Sequence, residues 1–116
     1  MADVFTSAGE GFVVDQMDAF GTFYHHWGTG TNTAAKGDTV LQTPGSEARV
    51  ATTDSQPTAD TFRTVATLTA DGAKTITEFG LFSLITGGVL IVRADFTGIV
   101  LALNDKIEFT CDLVFS

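Results

Sequence analysis

Basic residues are scarce in this chain: six Lys and Arg stand against fourteen Asp and Glu, a net charge of −8. A protein that grips phosphate backbones needs the opposite sign, so nucleic acid is excluded as a first partner. Cysteine is reduced to Cys111 alone. That excludes an internal disulfide framework and a cysteine-based zinc site. Long apolar runs are missing too. Val89 to Val92 and Ile99 to Leu103 fall far short of the ~20 residues that cross a bilayer, so no membrane contact is expected. The first twenty residues carry no positive charge and no long apolar run, so no secretory signal is visible. Catalytic signatures are absent as well: there is no Gly-x-Ser-x-Gly, no His-Glu-x-x-His and no EF-hand loop. Neither Asn32 nor Asn104 opens a glycosylation sequon. An enzyme is not expected, and no cofactor or metal is expected.

What the chain does have is apolar material. Of its 116 residues, 44% are hydrophobic and 17% charged. That is enough for one packed core and little more, and it predicts one soluble domain. Thr occurs 19 times, Gly 12 times and Phe 10 times, a composition of pleated surfaces joined by turns. Helical periodicity is not evident in any long window, whereas alternation with period two recurs. The expectation is all-β: an antiparallel, jelly-roll-like sandwich of seven or eight short strands. Residues 1–11 are read as an N-terminal arm and residues 12–116 as a single sandwich domain.

The closing segment is the clearest strand. Ile107, Phe109, Cys111, Leu113 and Phe115 alternate with Lys106, Glu108, Thr110, Asp112 and Val114, so one face meets a core. Cys111 sits on that face and reads as a small structural hydrophobe. Asp71-Gly72 suits a type I′ hairpin turn. It would pair Ala70 with Ala73 and set Phe62, Ala66, Leu68, Phe79 and Leu81 on one face, with Arg63, Val65 and Glu78 on the other. Gly87-Gly88 turns the chain back into Val89 to Asp95. A loop of Asn104, Asp105 and Lys106 would pair Leu103 with Ile107. In the first half, Phe12 to Asp15, Phe20 to Tyr24 and Glu47 to Thr53 are read as short strands. Trp27 to Asp38 is read as a long loop, Thr43-Pro44-Gly45-Ser46 as a type II turn, and Asp54 to Thr58, with Pro57, as another loop.

Three groups invite a chemical reading. His25-His26-Trp27 contains both histidines. In an extended segment adjacent side chains point to opposite faces, so the pair does not chelate one metal unless Asp15, Asp18 or Asp38 joins it. The plainer reading is a polar loop anchored by Trp27. Gly28-Thr29-Gly30-Thr31 looks like a phosphate loop but lacks the Gly-Lys-Ser/Thr ending. Asp54 with Asp60, or Asp15 with Asp18, are candidates for acid–base chemistry only by sequence proximity, and the fourteen acidic residues are read as solvated surface.

Two segments carry a resemblance. One is Tyr24-His25-His26-Trp27-Gly28-Thr29-Gly30-Thr31, followed by Gly37-Asp38-Thr39-Val40-Leu41. The other is Ile76-Thr77-Glu78-Phe79-Gly80-Leu81-Phe82, then Gly87-Gly88-Val89-Leu90, Arg93, Phe96 and Asp105-Lys106-Ile107-Glu108-Phe109-Thr110. The series resembles small structural proteins of tailed bacteriophages, over residues 24–116 and not over residues 1–23. The resemblance implies a β-sandwich on the virion, either a capsid cement protein or a tail-fibre part. As cement it would bind the outer capsid surface across joints between major capsid subunits. It would stabilise the assembled lattice by mass action and avidity. A homotrimer is expected by analogy with three-fold lattice positions. The contact candidates are Val4 and Phe5 in the arm, Tyr24, His25, His26 and Trp27 in the loop, and Gln56 and Pro57. As a tail fibre or baseplate component it would use Trp27 to stack on a host glycan.

Overall fold

A computed structural model describes residues 3–115. The elements in chain order are a helix α1 (Ser7–Phe20) and seven strands: β1 (Tyr24–Gly28), β2 (Val50–Ala51), β3 (Thr53–Thr58), β4 (Thr61–Thr69), β5 (Lys74–Phe82), β6 (Leu90–Leu101) and β7 (Lys106–Val114). The strands form two antiparallel sheets, ordered β2-β1-β5-β6 and β3-β4-β7. The all-β sandwich expected from the alternation is what the chain forms.

The helix is the main departure. Residues 7–11 belong to α1 and not to an arm, and Phe12 to Asp15 is helical and not a strand. Residues 1 and 2 of the expected arm lie outside the described residues. Thr6 caps the helix, its hydroxyl accepting the Gly9 N–H at 3.0 Å. Gly21 ends it at φ 118°, a conformation L side chains rarely adopt. The inward stripe is Glu10, Val14 and Met17, spaced as a helix requires. Phe12 and Phe20 face outward and are exposed, and their apolar signal on the wrong side hides the period. Only Tyr24 of the expected strand Phe20 to Tyr24 lies in β1.

The core has two clusters between the sheets. Trp27, Leu68, Ala70, Ile76 and Leu101 form one, and Val14, Phe23, Phe62 and Leu81 the other. Every apolar residue expected inside from β4 and β5 is buried: Phe62, Ala66, Leu68, Phe79 and Leu81. Their expected pairing is wrong. β4 pairs with β7 and β5 with β6, so Asp71-Gly72 carries the chain from one sheet to the other. Neither residue has the positive φ that a type I′ turn demands. Two strands that both point apolar rows into one core satisfy burial equally well from facing sheets. For the same reason the Asn104 loop is a crossing, not a hairpin: Leu101 pairs with Lys74 and Ile107 with Leu68. Asn104 takes φ 71° there. The third expected turn is a true hairpin, with Gly87 and Gly88 at φ 62° and 70° and Ser83 N–H donating to Val89 C=O at 3.1 Å.

The first half corrects further. Gly45 lacks the positive φ of a type II turn. Residues 43–45 instead flank β1, with Thr29 N–H on Thr43 C=O at 3.0 Å and Gly45 N–H on Trp27 C=O at 2.9 Å. A Cβ on Gly45 would lie 2.9 Å from Trp27 Cδ1, so glycine serves close approach here. The expected strand over 47–53 shrinks to Val50–Ala51, and Asp54 to Thr58 is the edge strand β3 and not a loop.

Candidate functional site

β1 is the inner strand between β2 and β5, which decides the fate of the eye-catching triplet. His25, His26 and Trp27 are buried in a sheet, and no polar loop presents them. Alternation holds as expected. His25 points to the opposite sheet, its Nε2 2.8 Å from Thr64 Oγ1. His26 points the other way, Nε2 2.8 Å from the Glu47 carbonyl. Trp27 Nε1–H donates to Glu47 Oε1 at 2.8 Å. Burial lowers the His25 pKa to about 4. Burial also lowers His26, partly offset by the Glu47 carbonyl. Trp27 has no exposed face, so it cannot stack on a sugar. Tyr24 is half-buried beside Ala51 and Phe82. Gln56 is half-buried and Pro57 exposed in β3. Val4 and Phe5 are exposed, and Phe5 meets the Phe115 ring edge-on at 6.3 Å. The eight candidates therefore do not form one site.

A residue placed on the solvent face by sequence is the centre of the largest polar network. Glu78 is fully buried. Its carboxylate accepts backbone N–H groups from Gly30 at 2.8 Å, Gln42 at 2.9 Å and Thr43 at 2.8 Å. Arg93 donates to it through Nε at 3.1 Å and Nη2 at 2.9 Å. Arg93 also holds Asp38 at 2.9 Å and Asn32 Oδ1 at 2.6 Å. Burial pushes the Glu78 carboxyl up, but these hydrogen bonds outweigh it and hold the group below the usual carboxylate range. The irregular segment 29–43 is thereby fastened over the outer face of β5. Leu41, buried, lies over Gly80, where a Cβ would come within 3.0 Å of Leu41 Cδ2. The Gly28-Thr29-Gly30 run does cradle an oxyanion, but the oxyanion is the protein's own. A Cβ at Gly30 would collide with Glu78 Oε2 and Gln42.

A second network closes the start of β5, at Lys74. Glu47 joins Trp27, Lys74 and the Asp71 N–H, and Asp71 takes the Ser46 hydroxyl. Arg49 lies 3.6 Å over the Phe82 ring and donates to the carbonyls of Leu84 and Gly87 at 2.8 and 2.7 Å, bracing the hairpin. The carboxylate pairs also rearrange. Asp54 approaches Asp18 of α1, and burial raises its pKa, whereas Asp60 takes the Thr58 hydroxyl at 2.7 Å. Cys111 packs against the core, and burial raises its pKa. Among the described residues no group of three or more His, Cys, Asp and Glu converges to hold a metal. No helix among them is long and apolar enough to cross a membrane.

One part of the remaining surface is apolar. A groove of about 510 Å³ runs between α1 and the β5–β6 hairpin, lined by Phe12, Met17, Phe20, Phe23, Val89 and Ile91 among others. Phe12, Phe20 and Val89 are 64%, 58% and 64% exposed, and Leu84 and Ile85 of the same hairpin are half-exposed. Sequence reasoning missed this surface because it rests on a helix the pattern concealed. No protein-family model matches the chain, and no curated protein matches it.

Proposed function

We propose that this protein is a virion structural protein, a cement protein that binds the outside of an assembled phage head and stabilises joints between major capsid subunits. The observation that carries this reading is the apolar surface around α1 and the β5–β6 hairpin. Large aromatic and aliphatic side chains exposed together on a small acidic domain mark a surface meant for protein contact. The polar networks support it differently. They spend the charged groups on fastening the domain's own segment 29–43 and its inter-sheet crossing, so the body is a rigid block offered to a partner. The net charge of −8 suits a position away from packaged DNA. Val4, Phe5 and Pro57 remain exposed surface candidates and do not line the groove.

Antibody labelling of intact virions, counted by electron microscopy, tests the reading. Many labels over the head, with heads lacking the protein bursting at lower temperature, is the expected result. A few labels confined to the tail would replace cement with a fibre or baseplate role. No label at either place would remove the virion reading.

A further inference from the structure

The sandwich has four sheet edges, and three are blunted. β2 is two residues long, with Pro44 bridged to β1 beside it. β3 contains Pro57 and a register shift between Ser55 and Thr58. β6 is bulged between Asp95 and Ile99 and contains Gly98. Prolines and bulges at an edge are how sheets refuse further strands. β7 has none of them. It runs in unbroken register with β4 from Lys106 to Val114, and among the described residues no strand pairs its other side.

Its free backbone groups can be assigned. Phe115 N–H donates to Asp60 C=O, and Ala70 N–H donates to Asp105 C=O. Both fix the odd-numbered positions as those turned toward β4, because the two directions alternate along an antiparallel strand. The even positions, Lys106, Glu108, Thr110, Asp112 and Val114, therefore offer N–H and C=O to the open edge. The inward apolar row is also unfinished. Ile107, Phe109, Cys111 and Leu113 are half-buried only, although they pack on the core clusters.

We propose that β7 pairs with β7 of a second copy, antiparallel about a two-fold axis at Phe109, joining the two three-stranded sheets into one. Charge selects that register. It sets Lys106 opposite Asp112 of the second copy and Glu108 opposite Thr110. Asp112 already holds Arg63 at 2.8 Å on the same face, so Lys106 of the other copy extends an existing ladder of alternating sign. Moving the axis half a step toward Cys111 sets Glu108 against Asp112, and moving it toward Lys106 sets Glu108 against itself. Like charges directly opposite are unfavourable. The chosen register also brings Phe109 against Phe109 and Ile107 against Cys111 across the axis, continuing the apolar row. Such a contact is isologous and closes at two copies, unlike the three-fold arrangement expected from capsid geometry. The inference is independent of the cement reading, since it concerns the isolated chain.

Sedimentation velocity of the full chain tests it, with a species of twice the 12.2 kDa chain mass expected. Thr110→Pro removes an outward N–H and no bond to β4. It should weaken self-association at least tenfold and leave the melting temperature near that of the parent. Should that variant fail to fold, two others decide. Lys106→Glu sets carboxylates opposite each other, so its dimer should weaken at low salt and recover at high salt. Ile107→Cys should oxidise to a covalent dimer through Cys111 of the second copy, since non-hydrogen-bonded partners lie within disulfide reach. A monomer or trimer at all concentrations overturns the proposal. So does a dimer indifferent to all three changes, or a parent chain that cross-links through Cys111 alone, which would mean a different register.

Discussion

His25 is a neutral imidazole sealed between two sheets. Its Nε2 meets Thr64, whose hydroxyl lies 3.5 Å from the Cys111 carbonyl, and its Nδ1 has no partner. An imidazolium there would have no anion to face. Because the folded pKa is depressed to about 4 from 6.5, the unfolded chain binds the proton more readily. The His25 contribution is complete above pH 6.5 and is lost as pH falls toward about 4. A loss of up to about 3 kcal/mol is expected across that window. Melts at stepped pH should show it, and His25→Gln should flatten it. Glu78 behaves with the carboxylate sign: its pKa is held below the ordinary 4.5, so its stabilisation is lost as pH falls below 4.5, starting at the acid end of the His25 window and continuing beneath it. Glu78→Ala leaves three N–H groups and the Arg93 Nε–H without their acceptor, although the guanidinium keeps Asp38 and Asn32. It should cost about 3–5 kcal/mol and expose the amides of residues 30–43 to rapid hydrogen exchange. Trp27→Ala should cost about 3–5 kcal/mol as a core deletion; an unchanged melt would refute its burial.

At the scale of elements, the helix offers a paired test. Gly11 lies in the helix interior, and a Cβ there meets only the Ala59 carbonyl at 3.5 Å. Gly11→Ala should stabilise by about 0.5–1 kcal/mol. Gly21 sits at φ 118°, so Gly21→Ala should destabilise by at least as much although nothing lies within 4 Å of the added methyl. Thermal melts of the two variants check both signs. The same elements show what was legible in sequence. Inward and outward faces of β4, β5 and β7 could be read, because burial imposes period two on each strand alone. Which strand lies beside which could not, because Asp71-Gly72 and Asn104-Asp105 suit a hairpin as well as a crossing between sheets. The helix was hidden by Phe12 and Phe20 on its outer side. The site was legible least: His25, His26 and Trp27 look like surface chemistry until β1 is placed between two neighbours. Glu78 looks like surface until a segment of irregular backbone folds over it.

For the whole molecule, acidity governs behaviour in solution. Arg63, Lys74 and Arg93 are engaged in ion pairs, and Arg49 braces the hairpin, so little positive charge is left at the surface. Net charge vanishes near the isoelectric point of about 4.3, where His25 also begins to take its proton. Turbidity should therefore peak between pH 4 and 5 and fall again on return to neutral pH only if the fold has survived; His25→Gln should make that return more complete. The Glu78 network has a further consequence, in time. Gly30 waits for a carboxylate 48 residues downstream, and Asn32 for a guanidinium 61 residues downstream. β1 likewise waits for β5, and β4 for β7. During synthesis the first half of the chain leaves the ribosome with its backbone donors unanswered. Almost nothing in it can be finished until the second half has emerged. Refolding should accordingly be slow for a chain of this size, in milliseconds to seconds, and any chain that ends before Arg93 should remain unable to close.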